Sequence, residues 1–213
     1  FFHEFGHLIH HLAANQSQYF SLGGINVEWD FAEVPSQLLE EWTWDAGVLQ
    51  RFAKHVDTGE AIPAETVAKM RAAEEFGKGV ATMRQIFYAA YSFFLHNRDP
   101  QGLDLDAFSA EMYGTYSPYP PVPESHIYAS FGHLVGYSSM YYTYQWSLVI
   151  AKDLFTRFAA DLMNNETATA YRKAILEPGG GRDAADMVKD FLGRPYDMKA
   201  YRAWITKPAV PTK

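Results

Sequence analysis

Three residues near the start of the chain, His3, Glu4 and His7, have the types and spacing that hold a catalytic metal. Residues four apart on an α-helix are offset by only about 40° around its axis. His3 and His7 therefore project from one face, one turn apart, and both imidazoles can reach one Zn²⁺. Glu4 is turned about 100° from His3, away from the ligand position. It suits a different task, taking a proton from a water activated at the metal. The competing account is a helical interaction domain in which H-E-x-x-H is a coincidence.

A catalytic zinc site takes three protein ligands and leaves a position for water. A histidine six residues after His7 would complete the metzincin pattern, but that position is Ala13, and the glycine the pattern requires is His10. The alternative is a carboxylate from a second helix, with Glu28, Glu33, Glu40 and Glu41 as candidates. Glu33 is preferred because it lies in the opening turns of that helix, after a loop able to reverse the chain. Glu28 falls in the loop itself, and the other two lie farther along. His10 and His11 are read as bonding to neighbouring groups or facing solvent, and His55, His96 and His126 as structural. Asp30 is either a helix cap or the partner that fixes a ligating histidine's tautomer.

These residues must be positioned by helices. Apolar residues at Phe1, Phe5, Leu8, Ile9 and Leu12 mark a helix over residues 1–14. Segment 19–29 reads as a loop around Gly23-Gly24. A second helix is expected over 30–55, with Pro35 tolerated in its first turns. Further helices follow at 63–75, 80–96, 104–113, 139–163, 166–176, 182–192 and 197–205. Pro178-Gly179-Gly180-Gly181 acts as a terminator, lacking the lysine and hydroxyl of a phosphate loop. The run Ser117–Pro123 reads as a rigid connection inside one domain. No segment sustains two-residue alternation, so the class is mainly α with little or no sheet. Tyr137, Tyr141 and Tyr144 are spaced four and three apart, which on a helix aligns their hydroxyls along one face. Such a face can stabilise an oxyanion, although an aromatic stripe also serves as core.

The 213 residues are 48% hydrophobic and 20% charged, an ordinary globular balance able to bury a sizeable core. A net charge of −7 argues against a nucleic-acid platform. The absence of cysteine excludes disulfides and thiolate zinc sites, and fits a reducing compartment, so a cytoplasmic address is expected. No apolar run approaches the ~20 residues of a membrane helix, and no membrane partner is expected. The chain starts two residues before its first candidate ligand and without methionine, so it is expected to be a portion of a longer polypeptide.

His3-Glu4-Phe5-Gly6-His7-Leu8-Ile9-His10 resembles the extended H-E-F-G-H-x-x-H signature of the M3 family of zinc metallopeptidases, the group of thimet oligopeptidase, neurolysin and oligopeptidase A. Asp30-Phe31-Ala32-Glu33-Val34-Pro35-Ser36-Gln37 resembles that family's D-F-x-E-x-P-S-Q segment. The resemblance continues at Glu41–Trp44, His133–Tyr137, Tyr141–Ser147 and Pro178–Gly180, and so covers most of the chain. His133 and Tyr137 stand one residue closer than in the family's H-x-x-G-G-Y. The resemblance implies a zincin-like (gluzincin) helical catalytic domain, with residues 1–213 as its C-terminal part. It implies one Zn²⁺ per chain on His3, His7 and Glu33, with Glu4 as the base. It also implies that Tyr137, Tyr141, Tyr144 and His133 contact the peptide and stabilise the tetrahedral intermediate. Short peptides would be the substrates, and the N-terminal portion of the parent protein would be a partner. An isolated portion that binds metal without catalysis is the alternative.

Overall fold

Side chains that compete for the backbone decide where the helices of this chain begin and end. The computed structural model describes residues 1–15 and 17–208. In chain order its α-helices are α1 (Phe2–Ala13), α2 (Val34–Glu40), α3 (Ala46–Leu49), α4 (Ala64–Glu74), α5 (Lys78–His96), α6 (Leu105–Tyr116), α7 (Ile127–Ser130), α8 (His133–Gly136), α9 (Thr143–Phe155), α10 (Asn165–Tyr171), α11 (Ala184–Leu192) and α12 (Lys199–Ile205). Among the described residues there is no strand, only an isolated antiparallel bridge between Lys54 and Ala61. The mainly α class is thereby met.

Two long helices expected from periodicity are broken. Residues 30–55 do not form one helix, because Asp45 adopts an extended backbone and its carboxylate accepts from the Val48 N–H, starting α3 afresh. Single 3₁₀ turns at Trp29–Phe31 and Glu41–Trp44 flank α2. Residues 139–163 contain only α9. Ser139 sits at φ 62°, in the left-handed region, and the chain turns until Thr143. Beyond Phe155 the Thr156 hydroxyl donates to the Asp153 carbonyl, a local bond that competes with helix continuation. Elsewhere the caps behave as their types require. Asp104 and Asp183 accept first-turn amides of α6 and α11, and Gly193 closes α11 at φ +72°.

The described chain divides into two units. The first joins residues 1–76 to 147–208, and the second is 77–146, with the Ser117–Pro123 run inside it. In the first unit Phe31, Val34, Leu38, Leu154, Phe158, Ile175, Met187, Val188 and Phe191 are buried. Trp42 packs edge-on against Phe158 and donates its indole N–H to the Leu162 carbonyl. The excursion between α1 and α2 is pinned by a glycine contact. A Cβ on Gly180 would fall 1.9 Å from the Asn26 carbonyl oxygen, so only glycine fits there. The Pro178–Gly181 run thus does more than end a helix: it lets the backbone close onto residues 22–26. In the second unit Phe87, Tyr91, Phe108, Met112 and Leu134 form the core, and the Tyr91 hydroxyl is satisfied by Ser109 at 2.8 Å.

Candidate metal centre

Two helices of the first unit cross where one side chain is missing. A Cβ on Gly6 would lie 2.6 Å from Ser36 Cα and 2.9 Å from the Pro35 carbonyl, so α1 approaches α2 more closely than any other residue at position 6 permits. The approach brings His3 and His7 over the start of α2. Glu33 occupies the N-cap position of α2, yet its carboxylate does not cap the helix. It turns back toward α1 instead.

The result is a compact donor set. Glu33 Oε2 lies 3.2 Å from His3 Nε2 and 3.2 Å from His7 Nε2, and one ligand atom from each residue falls within 4.8 Å of the others. Zinc–nitrogen and zinc–oxygen bonds of about 2.0–2.1 Å give a tetrahedron with edges of about 3.3 Å, so the two nitrogen–oxygen separations match ligand edges. The histidine rings stand 4.9 Å apart and nearly perpendicular, as imidazoles converging on one point do.

The electrostatics favour a cation. Hydrogen bonding to Glu33, then to Glu40, raises the His3 imidazole to about 10. Burial pushes the Glu33 carboxyl up, but the hydrogen bonds from His3 and His7 outweigh it and hold the group well below the usual carboxylate range. Glu33, only 3% exposed, is therefore an ionised acceptor stabilised by what lies in front of it. Its Oε2 also accepts from the Ser36 hydroxyl at 3.1 Å. These residues fit a divalent metal by donor type, spacing and charge. Glu4 is exposed on the same helix.

The rival carboxylates are engaged elsewhere. Glu28 accepts from the Ala184 amide at 3.1 Å, at the start of α11. Glu41 pairs with Lys152. Glu40 accepts from His3 Nδ1 at 2.6 Å, on the far side of the imidazole from Glu33. Asp30 is not the cap of α2, and its carbonyl accepts from the Ser147 hydroxyl at 2.8 Å. His10 follows neither expectation. It is fully buried, and neither ring nitrogen has a hydrogen-bond partner among the described residues. Burial, with the nearby His7 and His11, lowers it to about 4 and keeps it neutral.

The tyrosines lie in the second unit. They do not share one helical face, since Tyr137 follows α8 and Tyr144 is on α9 with the Ser139 turn between them. Their rings cluster nevertheless. Tyr141 and Tyr144 are 4.9 Å apart, Tyr137 and Tyr144 5.5 Å apart, and His133 lies 5.2 Å from Tyr141. The Tyr144 hydroxyl is 3.4 Å from His133 Nε2, and the Tyr141 hydroxyl donates to Gln85 at 3.1 Å. Gln85 escaped the sequence reading because nothing local ties residue 85 to residue 141. The same holds for Gly6 and Ser36, whose value lies in a contact between helices.

Two imidazoles and a carboxylate thus converge from two helices, with a glutamate beside the first histidine. The sequence profile of Peptidase family M3 matches residues 1–205, and the chain belongs to that family. It is 34% identical over 214 residues to saccharolysin of Saccharomyces cerevisiae, covering 94% of this chain and 29% of that protein. Oligopeptidase A of Escherichia coli is 33% identical over 204 residues, covering 93% and 30%. The organellar oligopeptidase A of Arabidopsis thaliana is 33% identical over 202 residues, covering 91% and 26%. The chain thus spans less than a third of the length of these relatives.

Proposed function

We propose that this chain carries the zinc-binding part of an oligopeptidase that hydrolyses short peptides. The observation that carries the reading is the donor set of His3, His7 and Glu33, with 3.2 Å separations suited to tetrahedral coordination. Zn²⁺ held there would supply Lewis acidity for a carbonyl and lower the pKa of a water. Glu4 takes the water's proton and delivers it to the leaving amine, a role worth about 10²–10⁴ in rate. Tyr141, Tyr144 and His133 keep the role the family resemblance gives them, hydrogen bonding to the developing oxyanion, and Tyr137 contacts the peptide. The cysteine-free composition and a relative named as a cytosolic oligopeptidase A support a cytoplasmic address. No helix of the described residues is long and apolar enough to cross a membrane.

A second reading is favoured by coverage. A chain spanning under a third of its relatives can hold the metal and still require the remaining polypeptide for cleavage. One experiment separates the two. The purified chain is loaded with zinc, its metal content measured, and a quenched fluorogenic peptide added before and after chelation. The peptidase reading expects one bound zinc, cleavage that stops in chelator and returns with zinc, and a Glu4→Gln variant that keeps metal but not activity. Zinc without cleavage selects the second reading. Cleavage that survives chelator or Glu4→Gln sinks the mechanism, and zinc-free protein unaffected by His7→Ala sinks the metal site.

A further inference from the structure

His3 is the only one of the two histidines whose outer nitrogen is held. Its Nε2 faces Glu33 at 3.2 Å, while its Nδ1 meets Glu40 Oε1 at 2.6 Å. The Nδ1 of His7, by contrast, is buried and has no hydrogen-bond partner among the described residues. The difference matches the surroundings. His3 lies in the first turn of α1 with its side chain 30% exposed, so packing alone does not fix the ring.

Both carboxylates reach His3 because of the helix that carries them. Glu33 and Glu40 are seven residues apart, about 20° short of two full turns, and so share one face of α2. The His3 ring is gripped between them. An ionised carboxylate only accepts, so the hydrogen in the 2.6 Å contact belongs to Nδ1, and Nε2 is the nitrogen left to meet a metal. The Glu40 backbone is anchored in turn, its carbonyl accepting from the Thr43 hydroxyl at 2.7 Å.

We infer that Glu40 is a positioning residue for His3, fixing the ring's tautomer and orientation so that Nε2 is presented to the ion beside Glu33. The inference rests on the metal-site reading above and assigns Glu40 no ligand bond. Outer partners of this kind typically contribute 10–100-fold in metal affinity.

The test uses the full 213-residue chain, with zinc affinity measured by competition against a chelator. Glu40→Ala should weaken zinc binding by about 10–100-fold, while the far-UV circular dichroism stays unchanged. Glu40→Gln, whose amide oxygen can still accept from Nδ1, should recover much of the loss. A downfield imidazole Nδ1–H resonance of His3 should be visible in the wild type and in Glu40→Gln, and should vanish in Glu40→Ala. Wild-type affinity in Glu40→Ala, with His7→Ala abolishing binding, overturns the positioning role and leaves the metal site standing. No zinc in the wild type removes the site and this role together.

Discussion

The Ser36 hydroxyl lies 3.1 Å from the Glu33 Oε2 atom that faces both His3 and His7, and 2.9 Å from the Glu33 carbonyl. One buried hydroxyl thus ties the carboxylate to its own backbone and selects the oxygen presented to the imidazoles. Ser36→Ala should free that carboxylate to rotate. A loss of about tenfold in zinc affinity is expected from removing an outer hydrogen bond of this kind, measured by chelator competition. An unchanged affinity would show that packing alone orients Glu33.

Gly6 offers a steric test of the helix crossing. Alanine inside a helix is ordinarily about 1 kcal/mol better than glycine. At position 6 the new methyl meets the backbone of Ser36 and Pro35, and overpacking of this sort costs about 1–3 kcal/mol. Gly6→Ala should therefore lower the thermal midpoint and weaken zinc binding together. Gly114 in α6 has nothing within 4 Å of such a methyl, so Gly114→Ala should be neutral or stabilising. Equal responses at the two positions would contradict the close-approach account.

His10 predicts a pH dependence. The unfolded chain takes up a proton near pH 6.5, whereas the folded protein resists until about 4. Stability present above pH 6.5 is therefore lost as pH falls from 6.5 toward 4, by about 3 kcal/mol at 1.36 kcal/mol per pH unit. His10→Leu removes both the buried unpartnered nitrogens and the titration. Urea unfolding across this range should show the acid limb flattening in the variant, with stability at pH 7 held or increased. A variant that loses stability at pH 7 and keeps the acid limb would count against the assignment.

Tyr141 and Tyr144 should differ in the peptidase assay. Burial, with Tyr88 nearby, pushes the Tyr141 phenol up to about 12, and its proton is already given to Gln85. The Tyr144 hydroxyl meets His133 Nε2 at 3.4 Å, a longer contact than the 3.1 Å Tyr141–Gln85 bond and therefore more easily exchanged for one to an oxyanion. Tyr144→Phe is expected to reduce kcat by about 10²–10³, and Tyr141→Phe by less, with KM moving little in either. The reverse order would exchange their roles.

What the sequence revealed follows the range of the interaction. His3, Glu4 and His7 were legible because helix geometry alone brings residues four apart together. Glu33 needed a contact across some thirty residues: its place in the opening turns of the second helix favoured it modestly over Glu28, Glu40 and Glu41, and the family resemblance strengthened the choice. The structure supplies the physical distinction, since those three are engaged with Ala184, His3 and Lys152. Periodicity located α1 but not its buried face. Gly6 and His10 are buried there, while Phe5, Leu8 and Leu12 are exposed. The breaks at Asp45 and Ser139 were missed because apolar spacing persisted through them. An aspartate before a small-residue turn was the available signal at the first, and none marked the second.

The contact between Gly180 and Asn26 also constrains the order in which the site can mature. All three candidate ligands lie within the first 33 residues, yet the loop leading to Glu33 is seated against a segment some 150 residues later. At about 5–20 residues per second of synthesis, that interval is on the order of ten seconds. A nascent chain that has emerged only through residue 146 carries every candidate donor but lacks the segment against which residues 22–26 are seated. Seating of the loop that leads to Glu33 is therefore a late event in biosynthesis, timed by the arrival of a glycine.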